Sequence, residues 1–327
     1  MAKITVLGSG GWGMALAISA FNNHNDVTLW SPFKEEVEML TQKRTNERLL
    51  RGVILPQGIK ITSDMSVVKD DNITIIATPS TAVRSVAHQL AEYKQDGIIV
   101  NVSKGFENES LKFLSDVISE ELPNATVVAL SGPSHAEEVA RNIPTSIVAT
   151  SKSLAASQVV QDIMSSGNLR IYTSTDLTGV ELGGAIKNVI AIAAGFCDGL
   201  GLGDNTKAAL ITRGLAEMTR LGVCMGAKEY TFAGLTGIGD LVVTCTSRHS
   251  RNNRFGYKVG SGVSVKDALD EVGTVEGYYA AEIAFKLSQK YKVDLPIIRE
   301  CYAVLYENRA VGESVKNLMN RPTRSEH

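Results

Sequence analysis

The chain has 327 residues, enough for about two domains at roughly 150 residues each, every one large enough to bury its own core. Hydrophobic residues make up 44% and charged residues 21%, which excludes the low-hydrophobicity, high-charge profile of a disordered chain. The 33 basic and 35 acidic residues leave a net charge of −2, so no global field gathers nucleic acid or anionic lipid, and any anion must be held by a local site.

Residues 3–7 read as a buried strand, and the segment behind it is Gly8-Ser9-Gly10-Gly11-Trp12-Gly13, opening a helix over 13–22. The apolar run 4–21 after Lys3 superficially resembles a signal peptide, but Gly8, Gly10, Gly11 and Gly13 would break its helix. The segment instead fits Gly-x-Gly-x-x-Gly in the strand-to-helix context where that pattern has physical meaning. Gly8 allows the tight turn, Gly10 lets a pyrophosphate approach the backbone, and Gly13 permits close helix-to-strand packing. The second strand, 26–30, is followed by Ser31-Pro32-Phe33-Lys34, with no acid placed to grip the adenine ribose of NAD. Ser31 and Lys34 are available in principle as donors to a 2′-phosphate, so the cofactor is expected to be NAD or NADP.

Further strands are expected over 73–77, 98–102, 126–130 and 145–149, separated by helical spacing over 81–93, 111–121 and 154–164. These strands are mostly apolar throughout rather than alternating, which means burial on both faces and an N-terminal, doubly wound Rossmann-like α/β domain with a parallel sheet. Ligands of such sheets lie beyond the carboxyl ends of the strands, which draws attention to Thr78-Pro79-Ser80, Ser103-Lys104-Gly105 and Gly132-Pro133-Ser134-His135-Ala136. Lys104 reads equally well as a cation at the crevice rim or as a solvated loop lysine. His135 reads as an acid or base or as a surface histidine at a helix start.

After residue 171 the β-rich runs stop, and helices are expected over 179–195, 206–225, 265–272, 276–291, 297–306 and 314–319. The expected organisation is a dinucleotide-binding domain over 1–187 and an all-helical C-terminal, substrate-binding domain over 188–327. No charge other than Lys187 occurs between Glu181 and Asp198. A lysine in so apolar a helix is desolvated, paired, or snorkels out at an edge, and desolvation would bring it toward the range useful for general acid-base chemistry. On that reading, exchanging Lys187 for methionine should relieve a desolvation cost. Further on, a Gly-rich connector at 234–240 ends in Asp240, a catalytic partner or a cap, and 241–245 is strand-like. Arg248-His249-Ser250-Arg251-Asn252-Asn253-Arg254 carries donors suited to a phosphate dianion, although charged turns are usually only solvated. The four cysteines, Cys197, Cys224, Cys245 and Cys301, are far apart with no His at metal-ligand spacing, so no metal is expected and a reducing cytoplasm is the expected location. The longest purely apolar stretch in this part, about 189–197, falls short of the roughly 20 residues of a membrane span.

Taken together in this order, the segments 8–17, Ser103-Lys104-Gly105, Ser131-Gly132-Pro133-Ser134, Gly183-Gly184-Ala185-Ile186-Lys187-Asn188, 210–217, Gly237-Ile238-Gly239-Asp240-Leu241 and Ser250-Arg251-Asn252 resemble the bacterial NAD(P)-dependent glycerol-3-phosphate dehydrogenases along the whole chain. The resemblance implies interconversion of dihydroxyacetone phosphate and sn-glycerol 3-phosphate, supplying glycerophospholipid synthesis. It makes Lys187 the general acid/base, with Lys104 and Asp240 as catalytic companions. Lys104, Gly132, Ser134, Lys187, Asp240, Ser250, Arg251 and Asn252 would surround the glycerol phosphate, and Gly8, Gly10, Gly11, Trp12, Gly13, Lys104, Ala136, Arg251 and Glu276 would lie beside the cofactor. The sequence departs from the family near Pro32, at His135 and in the short loop at 273–277. A homodimer is the expected assembly, with no nucleic-acid partner and no membrane span. Two rivals are a related two-domain hydroxy-acid dehydrogenase and a regulator that senses NAD(P)H without turnover.

Overall fold

The computed structural model describes residues 1–323 and 325–326. The chain divides into two compact units, Met1–Glu181 and Leu182–His327, and the division falls inside a helix.

The first unit runs β1 (Lys3–Leu7), α1 (Gly11–Asn22), β2 (Asp26–Trp30), α2 (Lys34–Lys43), β3 (Lys60–Thr62), β4 (Ile73–Ile76), α3 (Val83–Ala91), β5 (Asp96–Asn101), α4 (Leu114–Glu121), β6 (Asn124–Ser131), α5 (Ala136–Ala140), β7 (Thr145–Thr150), α6 (Leu154–Met164) and β8 (Leu169–Ser174). The strands form one sheet in the order β3-β2-β1-β4-β5-β6-β7-β8. Ile4 pairs with Val27 on one side and with Ile73 on the other, both in parallel. The winding therefore reverses between β1 and β4, and sheets of this kind bind ligands beyond the carboxyl ends of the strands at such a reversal. The sheet departs from a wholly parallel one at β7, which runs antiparallel to β6 and then parallel to β8.

Alternate residues of each strand serve opposite faces. Ile4, Val6, Ile73, Ile75 and Val100 pack in one core with α1 and α6. Leu7, Ile76 and Ile99 pack in another with Val83, Val86, Leu114 and Ile118 of α3 and α4. Burial on both faces explains the unbroken apolar character of these strands. Two elements that the apolar pattern does not signal are α2, of which only Leu40 is buried, and the three-residue edge strand β3.

In the second unit α7 (Leu177–Gly199), which begins in the first, is followed by α8 (Asp204–Cys224), α9 (Glu229–Phe232), a five-residue wide turn (Leu235–Gly239), α10 (Asp240–Thr246), α11 (Arg251–Gly260), α12 (Val265–Val272), α13 (Glu276–Tyr291), α14 (Pro296–Tyr306) and α15 (Val311–Met319). The strand-like run 241–245 is helical. Its buried residues Leu241, Thr244 and Cys245 recur at helical spacing while Val242 is exposed, and that periodicity overrides its β propensity. α7 is long and apolar enough to cross a membrane, but its apolar window is buried inside the protein. The three cysteines Cys197, Cys245 and Cys301 are buried thiols, and Cys224 is an exposed one.

Two buried glutamates cap helices whose own N-cap residues offer no side-chain acceptor. Glu181 accepts from the Ser115 backbone N–H at 3.0 Å and from the Ser115 hydroxyl, at the start of α4. Glu217, on α8, accepts from the N–H groups of Ile297 (2.7 Å) and Ile298 (3.2 Å), at the start of α14. The hydrogen bonds favour the carboxylate, but burial outweighs them and pushes both carboxyl groups up to about 7. For Glu217 this fixes a sign. The folded protein binds this proton more tightly than the unfolded chain, so the cost of ionisation is absent below about pH 4.5 and fully present above about pH 7. Glu217→Gln, which stays neutral, should therefore gain stability relative to the parent as pH rises across that window, by up to about 3 kcal/mol. Urea unfolding of both proteins at several pH values measures it, and a stability difference independent of pH would contradict the account.

Candidate active site

In the first unit, the turn between β1 and α1 is built on glycine for separable reasons. Gly8 has φ +122, and a Cβ there would lie 2.5 Å from the carbonyl oxygen of Ala77, the residue following β4. A Cβ at Gly13 would collide with the carbonyl oxygen of Gly8, so α1 can approach β1 this closely only without a side chain. Gly10 has nothing within 4 Å of its would-be Cβ, which leaves open space against the backbone. Gly10 is also the N-cap of α1 and provides no side-chain acceptor, so the first-turn N–H groups keep their donor capacity for an anion. These features fit a pyrophosphate. Gly11 faces Leu49 O and lies 3.8 Å, measured from its would-be Cβ, from the Ala136 side chain, so the expected cofactor residues Gly11 and Ala136 are neighbours.

At the carboxyl ends of β5 and β6 three expected residues meet at one atom. The Gly132 carbonyl oxygen accepts from Lys104 Nζ at 3.0 Å and from Ser134 Oγ at 2.9 Å. Gly132 itself has φ +136, so no other residue suits this corner. Beside it, Ser103 Oγ donates to Thr78 O at 2.5 Å. Thr78 Oγ1 and Ser131 Oγ are buried with no hydrogen-bond partner among the described residues. Two such orphaned hydroxyls at strand carboxyl ends have the donor and acceptor capacity that a bound ligand would use. His135 is half-buried at the N-cap of α5.

At the end of β2 the structure corrects one inference. No acid directly follows Trp30, yet Glu36 in the first turn of α2 reaches back, and its Oε2 accepts from Ser31 Oγ and Ser9 Oγ, each at 2.6 Å. Ser31 spends its single hydroxyl proton there, so it is not the free donor to a 2′-phosphate that the sequence suggested.

In the second unit the site is organised around Lys187. The side chain is buried, with Nζ 2.5 Å from Asp240 Oδ1 and 2.7 Å from Thr244 Oγ1, and Thr244 in turn donates to Asp240 O at 2.6 Å. A carboxylate at this distance stabilises the ammonium, the form that has a proton to give. The register has a backbone cause. A Cβ at Gly183 would collide with the carbonyl oxygen of Thr236, so α7 rests directly on the wide turn before α10, and four residues further along each segment Lys187 meets Asp240. Thr244, one helical turn beyond Asp240, is a site residue that sequence reasoning missed. Only the helical reading of 241–245 would have placed it on the same face.

Of the remaining expected residues of this unit, Asn252 is tied to α7 by a hydrogen bond. Asn252 Nδ2 donates to Asn188 Oδ1 and Asn252 Oδ1 accepts from Gly277 N–H, both at 2.9 Å, which brings the starts of α11 and α13, and thus Glu276, to the residue after Lys187. Asn252 is largely committed to this scaffold and keeps one amide proton for a ligand. Ser250 caps α11 by accepting from Asn253 N–H at 3.2 Å, while its own proton remains to be given. Arg251, the first residue of α11, is exposed and has no hydrogen-bond or ion-pair partner among the described residues. A cavity of about 500 Å³ in the same unit, bordered by Arg213, Glu217, Arg220 and Ile297, contains none of these groups.

Residues 3–157 match the family model described as NAD-dependent glycerol-3-phosphate dehydrogenase N-terminus, and residues 176–316 match the one described as its C-terminus. The glycerol-3-phosphate dehydrogenase (NAD(P)+) of Fusobacterium nucleatum subsp. nucleatum is 49% identical over 100% of this chain and 99% of its own length. That of Bacillus subtilis is 46% identical over 98% of this chain and 95% of its own. The crystal structure of the Coxiella burnetii glycerol-3-phosphate dehydrogenase superposes with a TM-score of 0.94 at 35% identity, covering 98% of this chain and 99% of that one.

The contact of Gly183 with Thr236 offers a direct check on how the Lys187 site is built. Gly183→Ala gains helix propensity but must push α7 off the wide turn, and the net effect should be a loss of about 1–3 kcal/mol. Thermal unfolding of the variant reads this, and a raised Tm would show that the close approach is not required.

Proposed function

The chain belongs to the NAD-dependent glycerol-3-phosphate dehydrogenase family, and from that premise we propose that it interconverts dihydroxyacetone phosphate and sn-glycerol 3-phosphate by hydride transfer with NAD(H) or NADP(H). The observation that carries the reading is the buried Lys187 ammonium held by Asp240 and Thr244, because a protein that only binds a nucleotide has no use for such a group. This favours the dehydrogenase over a sensor of NAD(P)H.

The glycine turn with Gly8, Gly10, Gly11, Trp12 and Gly13 is assigned to the dinucleotide, with Ala136 beside it, and the chain's halves, 1–187 and 188–327, to cofactor and substrate respectively. When bound, a reduced nicotinamide supplies a hydride to the C2 carbonyl carbon. Lys187 protonates the oxygen as negative charge develops on it, and Asp240 and Thr244 fix the direction of Nζ and keep it charged. Lys104, Gly132 and Ser134 are assigned to the substrate, with Lys104 supplying positive potential. Arg251, at the positive end of α11, is assigned to the phosphate, with the Ser250 hydroxyl and the remaining Asn252 proton beside it. The energy of binding that dianion holds the reacting end in place. Glu276 and Arg251 are further assigned to cofactor contact. In this reading the product feeds glycerophospholipid synthesis in the cytoplasm. The protein acts as a homodimer, the commonest closed assembly.

The ion pair changes what replacing Lys187 should do. Lys187→Met leaves a buried carboxylate unpaired, so stability should fall by about 3–5 kcal/mol rather than hold or rise. The double variant Lys187→Met with Asp240→Asn removes both charges and should recover most of that loss, yet kcat should remain at least about 100-fold down while NADH still binds. Near-parental turnover by either protein would remove Lys187 from the chemistry. Arg251→Ala should raise KM for dihydroxyacetone phosphate by roughly 10-fold to 150-fold, with NADH affinity less affected. Should the variant still prefer dihydroxyacetone phosphate to dihydroxyacetone as strongly as the parent, the phosphate is anchored elsewhere.

A further inference from the structure

The carboxylate of Glu36 sits where two loops of the first unit meet. Gly8 N–H donates to Trp30 O at 2.9 Å, joining the glycine turn to the end of β2, and Ser9 and Ser31, one on each loop, are buried and both donate to Glu36 Oε2. In a doubly wound sheet whose first turn holds the pyrophosphate, the adenosine ribose lies at the carboxyl end of the second strand. We propose that Glu36 is the residue that chooses between the two nicotinamide cofactors, accepting a hydrogen bond from the adenosine ribose hydroxyls of NAD(H) and turning away the 2′-phosphate of NADP(H). The proposal rests on the dinucleotide reading of the glycine turn.

Three observations carry it. The Ser9 and Ser31 hydroxyls have one proton each, and both protons are given to Oε2, so neither serine can donate to a phosphate without releasing Glu36. Glu36 Oε1 accepts no hydrogen bond among the described residues, which leaves one carboxylate oxygen for a ribose hydroxyl, a group that brings its own proton. A 2′-phosphate brings no proton at neutral pH and carries nearly two negative charges to within a few ångströms of a third, at a half-buried position where solvent screening is reduced. Among the described residues no cation is paired with Glu36. Lys34 is exposed and shares the first turn of α2 with Glu35 and Glu36, and Arg44 is engaged by the carbonyl oxygens of Ile59 (2.7 Å) and Pro56 (3.4 Å). Arg48 and Arg51 are exposed on the segment that follows. The acid is not part of the residues directly after β2, where such a group is ordinarily sought. It arrives from the next helix, and the two serines hold it there.

The test is equilibrium binding of NADH and of NADPH, read by titration calorimetry, to the parent and to Glu36→Gln. Glutamine keeps the length and a carbonyl oxygen able to accept from both serines, and circular dichroism checks that the variant is folded. The parent should bind NADH about 10-fold to 100-fold more tightly than NADPH, and the variant should close that gap to within about 3-fold, mainly by binding NADPH better. A measurement on the parent alone needs no variant. 5′-AMP should compete for the site at least about 10-fold more strongly than adenosine 2′,5′-bisphosphate. Equal affinity of the parent for both cofactors, or a preference that survives Glu36→Gln, would overturn the role of Glu36 while leaving the dinucleotide site intact. Failure of the parent to bind either cofactor would overturn the reading of the glycine turn, and the proposal with it.

Discussion

An ammonium group inside an apolar helix must be paired, and that requirement organises the C-terminal unit. Lys187 meets Asp240 at 2.5 Å because the backbone of α7 touches the wide turn before α10 at Gly183. A side chain at that glycine would push α7 off the turn and strain the pairing, whereas removing either partner would leave a charge buried alone, a state costing several kcal/mol. The same helix also ties down polar groups at the starts of two other helices. Asn188 receives Asn252, Asn252 receives the Gly277 N–H, and in this way the N-terminal ends of α11 and α13 are held to the residue beside the lysine. Further along, Gly195 and Gly199 of α7 lie against the backbone of α11. A buried charge, close helix contacts and a chain of amide hydrogen bonds are thus one arrangement.

The N-terminal unit solves a different problem, that of leaving donors unspent in a folded protein. Most buried polar groups are satisfied internally, and Glu181 shows how far the chain goes to cap a helix start. At the carboxyl ends of the strands the opposite holds. α1 begins without a side-chain cap, and Thr78 and Ser131 keep unpaired hydroxyls. Groups left without partners in this way cost stability unless a ligand or solvent meets them, and their grouping at strand carboxyl ends is what the fold contributes to binding.

Much of this was legible in the sequence, for reasons that separate from what was not. The continuous apolar strands announced a sheet covered on both sides, and Lys187 announced itself as the only charge in its stretch. The antiparallel step at β7 was not legible, because a strand buried on both faces looks the same in either direction. α2 presents one buried residue and therefore no apolar stripe, and 241–245 is too short for its β-branched content to be weighed against its spacing. Thr244 depends on that second misreading. Glu36 depends on the first, since a carboxylate five positions beyond Ser31 reaches its hydroxyl only when the chain between them turns into a helix.

The central claim is that the buried lysine serves a reaction on a phosphorylated ketone. It is tested most directly by mixing the purified protein with reduced cofactor and following the nicotinamide absorbance with dihydroxyacetone phosphate, with dihydroxyacetone and with a 2-keto acid in turn. The account predicts loss of absorbance with dihydroxyacetone phosphate, far slower loss with dihydroxyacetone and none with the keto acid. Loss with the keto acid instead, or cofactor binding without turnover of any of the three, would contradict it.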